Sequence, residues 1–189
     1  TLAYFGTYWL LQFFWMRVYF LLLMILATSV TVAQNCPPNI DFESGTFDGW
    51  QCSIGNTEII NGRNVINLIP SLPQKRRHEL ITKEDPPLLD VYGQFPRLCP
   101  FGGNYSVKLG NEMVGAQAEG ISYTFTLPAT TDTFTFTYFY AVVFEDPRHS
   151  LEQQPRFFVT AYDVETGAIV SCASFDYVSN GTLPGFERS

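Results

Sequence analysis

The sequence is poor in positive charge and in the residues that bind zinc. Lysine and arginine total 11 against 18 aspartate and glutamate residues, and there are two histidines. An acidic chain disfavours nucleic acid and anionic membranes, because their phosphates repel it. The four cysteines form no C-x-x-C pair, and His78 and His149 lack the spacing of zinc ligands. We therefore predict no nucleic-acid partner and no zinc site.

Motifs of common catalytic sites are missing as well. The chain has neither a G-x-x-x-x-G-K phosphate loop nor a G-x-S-x-G nucleophile turn. After residue 33 no window carries an apolar stripe with a 3.6-residue period, and no internal repeat is present. Parallel sheets need helical crossovers, so these absences disfavour an α/β fold. We predict a protein that is not an enzyme and requires no cofactor.

The longest apolar stretch lies near the amino terminus. Met16 and Arg17 give a positively charged start, residues 18–27 are all apolar, and residues 31–33 are small. This three-part layout predicts a secretory signal peptide over residues 16–33, formed as a hydrophobic helix. The protein is therefore expected to be secreted or on the cell surface, without stable membrane insertion after cleavage.

Residues 1–15 need a separate interpretation. They are apolar and aromatic, carry no charge and do not begin with methionine. We interpret them as an upstream extension outside the native protein. The alternative is one transmembrane anchor over residues 3–33. That anchor would place Arg17 near the middle of the bilayer, which is costly.

Residues 34–189 have the size of one domain. They keep 10 of the basic and all 18 of the acidic side chains, a formal charge of −8. All four cysteines lie here, and an even number in an oxidising compartment indicates disulfides. The candidates are Cys36, Cys52, Cys99 and Cys172. Three pairings are possible, and all three stay open.

Apolar and polar residues alternate along this part of the chain, which predicts an all-β fold. Residues 121–127 alternate without a break and are expected to form a hairpin with residues 133–144. The end of that second strand is apolar on both faces, which predicts a central position. A second hairpin is expected from residues 156–163 and 168–175, turning at 164–167.

Shorter strand candidates precede these hairpins, at residues 40–42, 50–54, 65–68, 78–82 and 105–109. Turns rich in glycine, proline, asparagine and aspartate separate them. Many short strands with such turns are typical of an antiparallel two-sheet sandwich.

Several segments form a pattern that extends over most of residues 34–189. The longest is residues 99–111, Cys-Pro-Phe-Gly-Gly-Asn-Tyr-Ser-Val-Lys-Leu-Gly-Asn. The others are residues 39–43 with Gly45, Gly49 and Trp50, and residues 115–125, 140–147, 154–157 and 183–186. Together they resemble the amino-terminal domain of large secreted surface proteins of Bacteroidetes. Those proteins typically continue into PKD-type repeats and a gliding-motility-associated sorting domain used by type IX secretion.

The resemblance implies a jelly-roll β-sandwich. Residues 39–50 are also more distantly similar to galactose-binding-like carbohydrate-binding modules and MAM domains. The family sandwich continues past the segment that matches residues 183–186, so the resemblance implies a fragment truncated at its carboxyl end. Contact with the secretion machinery would then use domains absent from this fragment.

Carboxylates near the first predicted strand suggest a structural calcium ion, which jelly-roll modules often hold at this place. In a strand, Asp41 and Glu43 would project from one face while Phe42 entered the core. Calcium takes six to eight oxygen ligands, so two carboxylates are insufficient. Further ligands could come from Asn111, Glu112 and Asp176. Alternatively, Glu43 hydrogen-bonds the turn that follows it.

Aromatic residues in loops are candidates for stacking on sugar rings. Tyr92, Phe95 and Tyr105 lie in sequence rich in glycine and proline, where a ring is either a ligand contact or a loop anchor. Trp50 lies in a short strand next to Cys52 and is expected to pack in the core.

A polar connector at residues 145–155 is the richest in ionisable groups. Its candidate ligand contacts are Glu145, Asp146, His149 and Glu152, because binding is usually built on loops of a rigid scaffold. A catalytic reading would need Glu145 and Glu152 as an acid/base pair, or His149 activating a nucleophile. We favour a solvated loop over both.

These patterns together favour a non-catalytic extracellular binding or adhesion module. Its expected partner is a polysaccharide or another cell-surface component. The alternatives are a purely structural amino-terminal cap and an accessory domain of a polysaccharide-degrading enzyme.

Overall fold

The computed structural model describes residues 36–127, 135–145 and 149–179. The chain divides into the units Thr1–Cys36 and Pro37–Ser189, and the following description concerns the second. The predicted signal peptide and upstream extension lie outside the described residues, as does Asp146. Within the described ranges, no helix is long and apolar enough to span a bilayer.

The described residues form an all-β structure, which confirms the predicted class. Its strands are β1 (Trp50–Ile60), β2 (Arg63–Ser71), β3 (His78–Thr82), β4 (Tyr105–Leu109), β5 (Gln117–Tyr123), β6 (Arg156–Val159) and β7 (Phe175–Val178). Two short 3-10 helices, Leu151–Gln153 and Ser171–Ala173, are the only helical elements in these ranges.

The strands form three antiparallel sheets. One has the order β2-β1-β5, and the other two are the pairs β3-β4 and β6-β7. Strands β1 and β2 are joined by a two-residue turn at Asn61 and Gly62, which have φ of 53° and 70°. An Asn-Gly pair tolerates this left-handed backbone, whose twist matches that of the flanking strands. The β1–β2 hairpin is therefore specified locally.

Agreement with the predicted strands is best where the pattern is short and bounded by turns. Strands β3 and β4 have the predicted limits, whereas β1 and β2 extend beyond theirs. The expected strand at residues 40–42 is wrong, because residues 38–41 form turns and Phe42 has a φ of 63°. Asp41 and Glu43 therefore do not project from one face of a strand.

Asn39 explains why this segment turns. Its side-chain amide donates to the carbonyls of Thr46 (3.0 Å) and Asp48 (2.9 Å), and its side-chain oxygen accepts from the N–H of Ser44 (3.0 Å). An asparagine that binds the nearby backbone in this way competes with a strand ladder.

The core role predicted for Trp50 fits its environment, since its ring stacks on Phe42 at 4.3 Å.

The two predicted hairpins differ from the structure. Strand β5 ends at Tyr123 and pairs with β1, while residues 124–127 and 135–145 belong to no strand. In the second hairpin the predicted turn is present, because the N–H of Gly167 donates to Asp163 and that of Asp163 to Ala168. The ladder, however, joins β6 to β7, after a 3-10 helix interrupts the returning segment.

Two consecutive side chains join the β3-β4 sheet to the first sheet. Arg77 Nη2 donates to the carbonyls of Gly55 (3.2 Å) and Ala118 (2.9 Å), which are partners across β1 and β5. His78 Nε2 lies 3.1 and 3.2 Å from the carbonyls of the next such pair, Ser53 and Gly120. The most buried apolar side chains of the described residues are Cys52, Ile81 and Ala118.

Candidate functional site

A row of aromatic rings connects the amino-terminal turns to the last sheet. Successive ring centroids lie 4.3 to 6.3 Å apart along it. In order the rings are Phe42, Trp50, Tyr123, Phe125, Phe136, Tyr138, Tyr140 and Phe175. Aromatic pairs at these separations stabilise beyond the area they bury.

Residues 135–145 contribute three members of this row from one face. Phe136, Tyr138 and Tyr140 are two residues apart and their rings contact in turn, which indicates an extended course. Tyr140 stacks on Phe175 at 4.9 Å, and its hydroxyl lies 3.4 Å from that of Tyr177. We call this the inner face.

The inner face is only partly covered. Burial raises the pKa of Tyr138, whereas the hydrogen bond to Tyr177, with burial as a smaller cause, raises the pKa of Tyr140 to about 12. Phe136 and Tyr140 nevertheless remain exposed. These rings are therefore not completely buried between two layers.

The opposite face of the same segment carries the candidate site. We call it the outer face; its residues are Thr135, Thr137, Phe139, Ala141 and Val143, and all are exposed. The central position expected for residues 139–144 is not observed at Phe139 and Val143. The ring of Phe139 stacks on Phe101 at 4.5 Å with an interplanar angle of 27°. Phe101 is 75% exposed and Phe139 57% exposed, so the pair presents apolar area to solvent.

Local sequence explains why Phe101 points outward. It precedes Gly102 and Gly103, whose φ values of 131° and 97° favour glycine. The loop is fixed at both ends, because the N–H of Cys99 donates to Ser106 Oγ and Glu43 accepts from Asn104. The Phe101 ring is thus carried by an ordered loop and stays exposed to solvent.

The predicted loop aromatics lie in two other places. Tyr92 is exposed at the tip of a turn in which Asp90 Oδ1 accepts from the N–H groups of Tyr92 and Gly93. Phe95 packs across Gly93, and Tyr105 packs across Gly45, so both rings are half-buried. Of the three, Tyr92 alone presents a ring to solvent as a ligand contact would.

The polar connector is not gathered into one group. Glu145 and His149 are both exposed, and the residues between them lie outside the described ranges. Glu152 is half-buried at the start of a 3-10 helix, and hydrogen bonds from its own backbone N–H and from the Ser150 hydroxyl lower its pKa.

The predicted calcium ligands each have other partners or stand alone. Asp41 accepts from the N–H of Glu43, Glu43 binds Asn104, and Asp176 pairs with Arg156 through both of its oxygens. Asn111 bonds Gln117 and Met113, and Glu112 is exposed. Among the described residues, no three His, Cys, Asp or Glu side chains form a cluster suited to a metal. Calcium binding stays a prediction of the sequence.

All four candidate disulfide cysteines are free thiols in the structure. Cys36 and Cys172 are exposed, Cys99 is half-buried, and Cys52 is buried in β1. Burial raises the pKa of the Cys52 thiol, which favours its unreactive form. Disulfide formation stays a prediction.

Neither Phe101 nor Phe139 is among the ligand contacts predicted from the sequence. A signal for Phe101 was present, since a phenylalanine between Pro100 and two glycines cannot pack along a strand. Phe139 had none, because its exposure depends on residues 135–145 remaining at the surface. Comparisons of the chain with protein-family models, curated proteins and solved structures give no match.

Proposed function

We propose that this protein is a non-catalytic extracellular binding module that contacts carbohydrate through the Phe101–Phe139 pair. The observation that carries the proposal is the stacking of two exposed rings, one on an ordered loop and one on an extended segment. Exposed apolar patches are a feature of interaction sites, and the stacking of these two rings makes them one contiguous patch. Aromatic rings also suit the apolar faces of pyranose sugars.

The overall charge and the surroundings of the pair favour sugar over other ligands. The chain has a formal charge of −7, which disfavours nucleic acid and anionic lipid. Exposed hydroxyls of Thr135 and Thr137 stand on the same face as Phe139. Rings beside hydroxyl groups supply both the stacking and the hydrogen bonds that a sugar uses.

The proposal includes a finer architecture, a jelly-roll sandwich of two facing sheets. It is supported by the inner face, because Tyr140 contacts both Phe157 (5.5 Å) and Phe175 (4.9 Å) of the β6-β7 sheet. It also includes export by the signal peptide at residues 16–33. A place at the outer end of a larger surface protein, like those of Bacteroidetes that the sequence resembles, completes the proposal.

Affinity electrophoresis of the protein through gels that contain single polysaccharides tests the function. Retardation by at least one polysaccharide is expected, and Phe101→Ala or Phe139→Ala should weaken it about five- to ten-fold, since an aromatic contact contributes about 1 kcal/mol. Leu72→Ala is the matched control, because Leu72 is 83% exposed and lies away from the pair in sequence. Equal retardation of all four proteins, or none, would contradict the proposal.

A further inference from the structure

Among the described residues, no strand pairs with the outer edge of β5. Strand β5 is the last strand of the order β2-β1-β5. The N–H of Thr57 donates to the carbonyl of Ala116 at 2.8 Å, so even-numbered residues of β5 direct their peptide groups toward β1. The peptide groups of Glu119, Ile121 and Tyr123 therefore point to the open edge, where they can accept another strand.

Residues 135–145 come close to the segment that directly follows β5. The rings of Phe125 and Phe136 lie 6.2 Å apart, although ten residues separate them in sequence. If Phe136 stands opposite Phe125, then Tyr138 stands opposite Tyr123. Directly opposed residues of an antiparallel pair share a face. This register puts aromatic rings together, whereas a shift by one residue would set Thr side chains against them.

We propose that residues 135–145 pair with the outer edge of β5 in this register, and that the outward side of the pair binds an extended, neutral polysaccharide. The inference deepens the proposed function and rests on it. The backbone groups of residues 135–145 make none of the described backbone hydrogen bonds. Pairing with β5 would give these groups partners. A sugar chain that contacts both segments favours their pairing, because it binds the paired arrangement more tightly than the unpaired one.

The composition of the outward side specifies the ligand class. In the proposed register Phe139 stands opposite Ser122, and four threonines continue the same side. These are Thr124, Thr126, Thr135 and Thr137, and like Ser122 they are exposed. A row of hydroxyls beside the Phe101–Phe139 pair can hydrogen-bond successive sugar hydroxyls. Because the row carries no charge, it fits a neutral chain rather than an anionic one.

Engineered cysteines test the register directly. Thr124 and Thr137 form a pair without mutual hydrogen bonds in this register, with Cα atoms expected about 4.5 Å apart, within the range of a disulfide. After mild oxidation, Thr124→Cys with Thr137→Cys should give this disulfide at least about ten-fold more than the control, Thr124→Cys with Thr135→Cys. The control residues are diagonal and about 7–8 Å apart. Peptide mass spectrometry distinguishes this bond from any made by the four native thiols. Equal yields would overturn the register.

Binding measurements then separate this inference from the proposed function. Thr124→Val with Thr137→Val keeps the shape of the side and removes two hydroxyls, so affinity for soluble neutral glucans should fall about ten-fold. Thr160→Val, an exposed threonine outside both segments, is the control. If Phe101→Ala weakens binding as expected but the double valine variant binds normally, the hydroxyl row is refuted and the function stands. Tighter binding of alginate than of neutral glucan would also refute the ligand class.

Discussion

The carboxylate of Glu43 holds the end of the loop that leads through Asn104 into β4. Glu43 Oε1 accepts from the backbone N–H of Asn104 at 2.7 Å, and Oε2 accepts from its side-chain amide at 2.8 Å. A third, longer bond reaches Oε1 from the N–H of Tyr105 at 3.2 Å. These contacts tie the amino-terminal turns to the loop that carries Phe101.

Removing this carboxylate should loosen the loop. Glu43→Ala deletes all three hydrogen bonds, so we expect a loss of about 1–2 kcal/mol in the free energy of unfolding, measured in urea. It should also weaken polysaccharide binding, because Phe101 is no longer positioned. Glu112→Ala serves as the control, since that exposed carboxylate has no hydrogen bond among the described residues. Similar losses from both variants would show that the Glu43 contacts are not formed in solution.

The same contacts give a pH dependence. Hydrogen bonds from the side chain and backbone of Asn104 lower the pKa of Glu43 below its ordinary value near 4.5. The stabilisation is therefore complete above that ordinary value and is lost as the pH falls through the lowered pKa. Acid unfolding should thus begin at a higher pH in Asn104→Ala than in the wild type, and Glu112→Ala should leave the onset unchanged. An unchanged onset in Asn104→Ala would contradict the assignment.

The predicted and the observed roles of Glu43 show how far the sequence could be interpreted. The pattern marked Glu43 as functional, but as a calcium ligand on a strand. The turn around Asn39 overrides the short alternation at residues 40–42, because a side chain that bonds its own backbone competes with a strand ladder. Partners 61 residues apart, such as Glu43 and Asn104, leave no periodic signal.

A further prediction concerns the contacts that join the β2-β1-β5 sheet to the β3-β4 sheet. Arg77 Nε lies 2.5 Å from Glu119 Oε1, and its other bonds reach the carbonyls of β1 and β5. Both side chains of this ion pair are largely buried. Arg77→Ala should therefore lower the free energy of unfolding by about 3 kcal/mol, because Glu119 keeps its charge without a partner.

Arg76 provides the matched control for this join, since it is the preceding residue and exposed. Arg76→Ala should change the free energy of unfolding by less than about 0.5 kcal/mol. Comparable effects of the two substitutions, measured by urea unfolding, would mean that Arg77 does not connect the sheets.

Tyr140 should make the protein sensitive to alkali. The hydrogen bond to Tyr177, with burial as a smaller cause, raises the pKa of Tyr140 from 10.0 to about 12. This stabilisation is complete below pH 10 and is lost as the pH rises toward 12, because the unfolded chain releases the proton first. Tyr177→Phe should reduce the loss of thermal stability between pH 9 and 11. An unchanged slope of Tm against pH would contradict this coupling.

The class of fold was predictable, whereas the position of residues 135–145 was not. Turn residues bound strands β3 and β4 so closely that pattern alone placed them. Residues 135–145 alternate as a strand does, and their inner and outer faces follow that alternation. Whether they pair with β5 depends on tertiary contacts such as Phe125–Phe136. The pattern of a single sequence does not reveal such contacts. The exposure of Phe139, and with it the candidate site, was hidden for the same reason.

The most direct measurement is an aromatic 1H–13C NMR titration of the protein with a soluble neutral glucan. Resonances of Phe101 and Phe139 should shift first and saturate together, while those of Tyr140 and Phe175 on the inner face change little. Shifts confined to the inner face, or no shifts of Phe101 and Phe139 at saturating glucan, would contradict carbohydrate recognition by this pair.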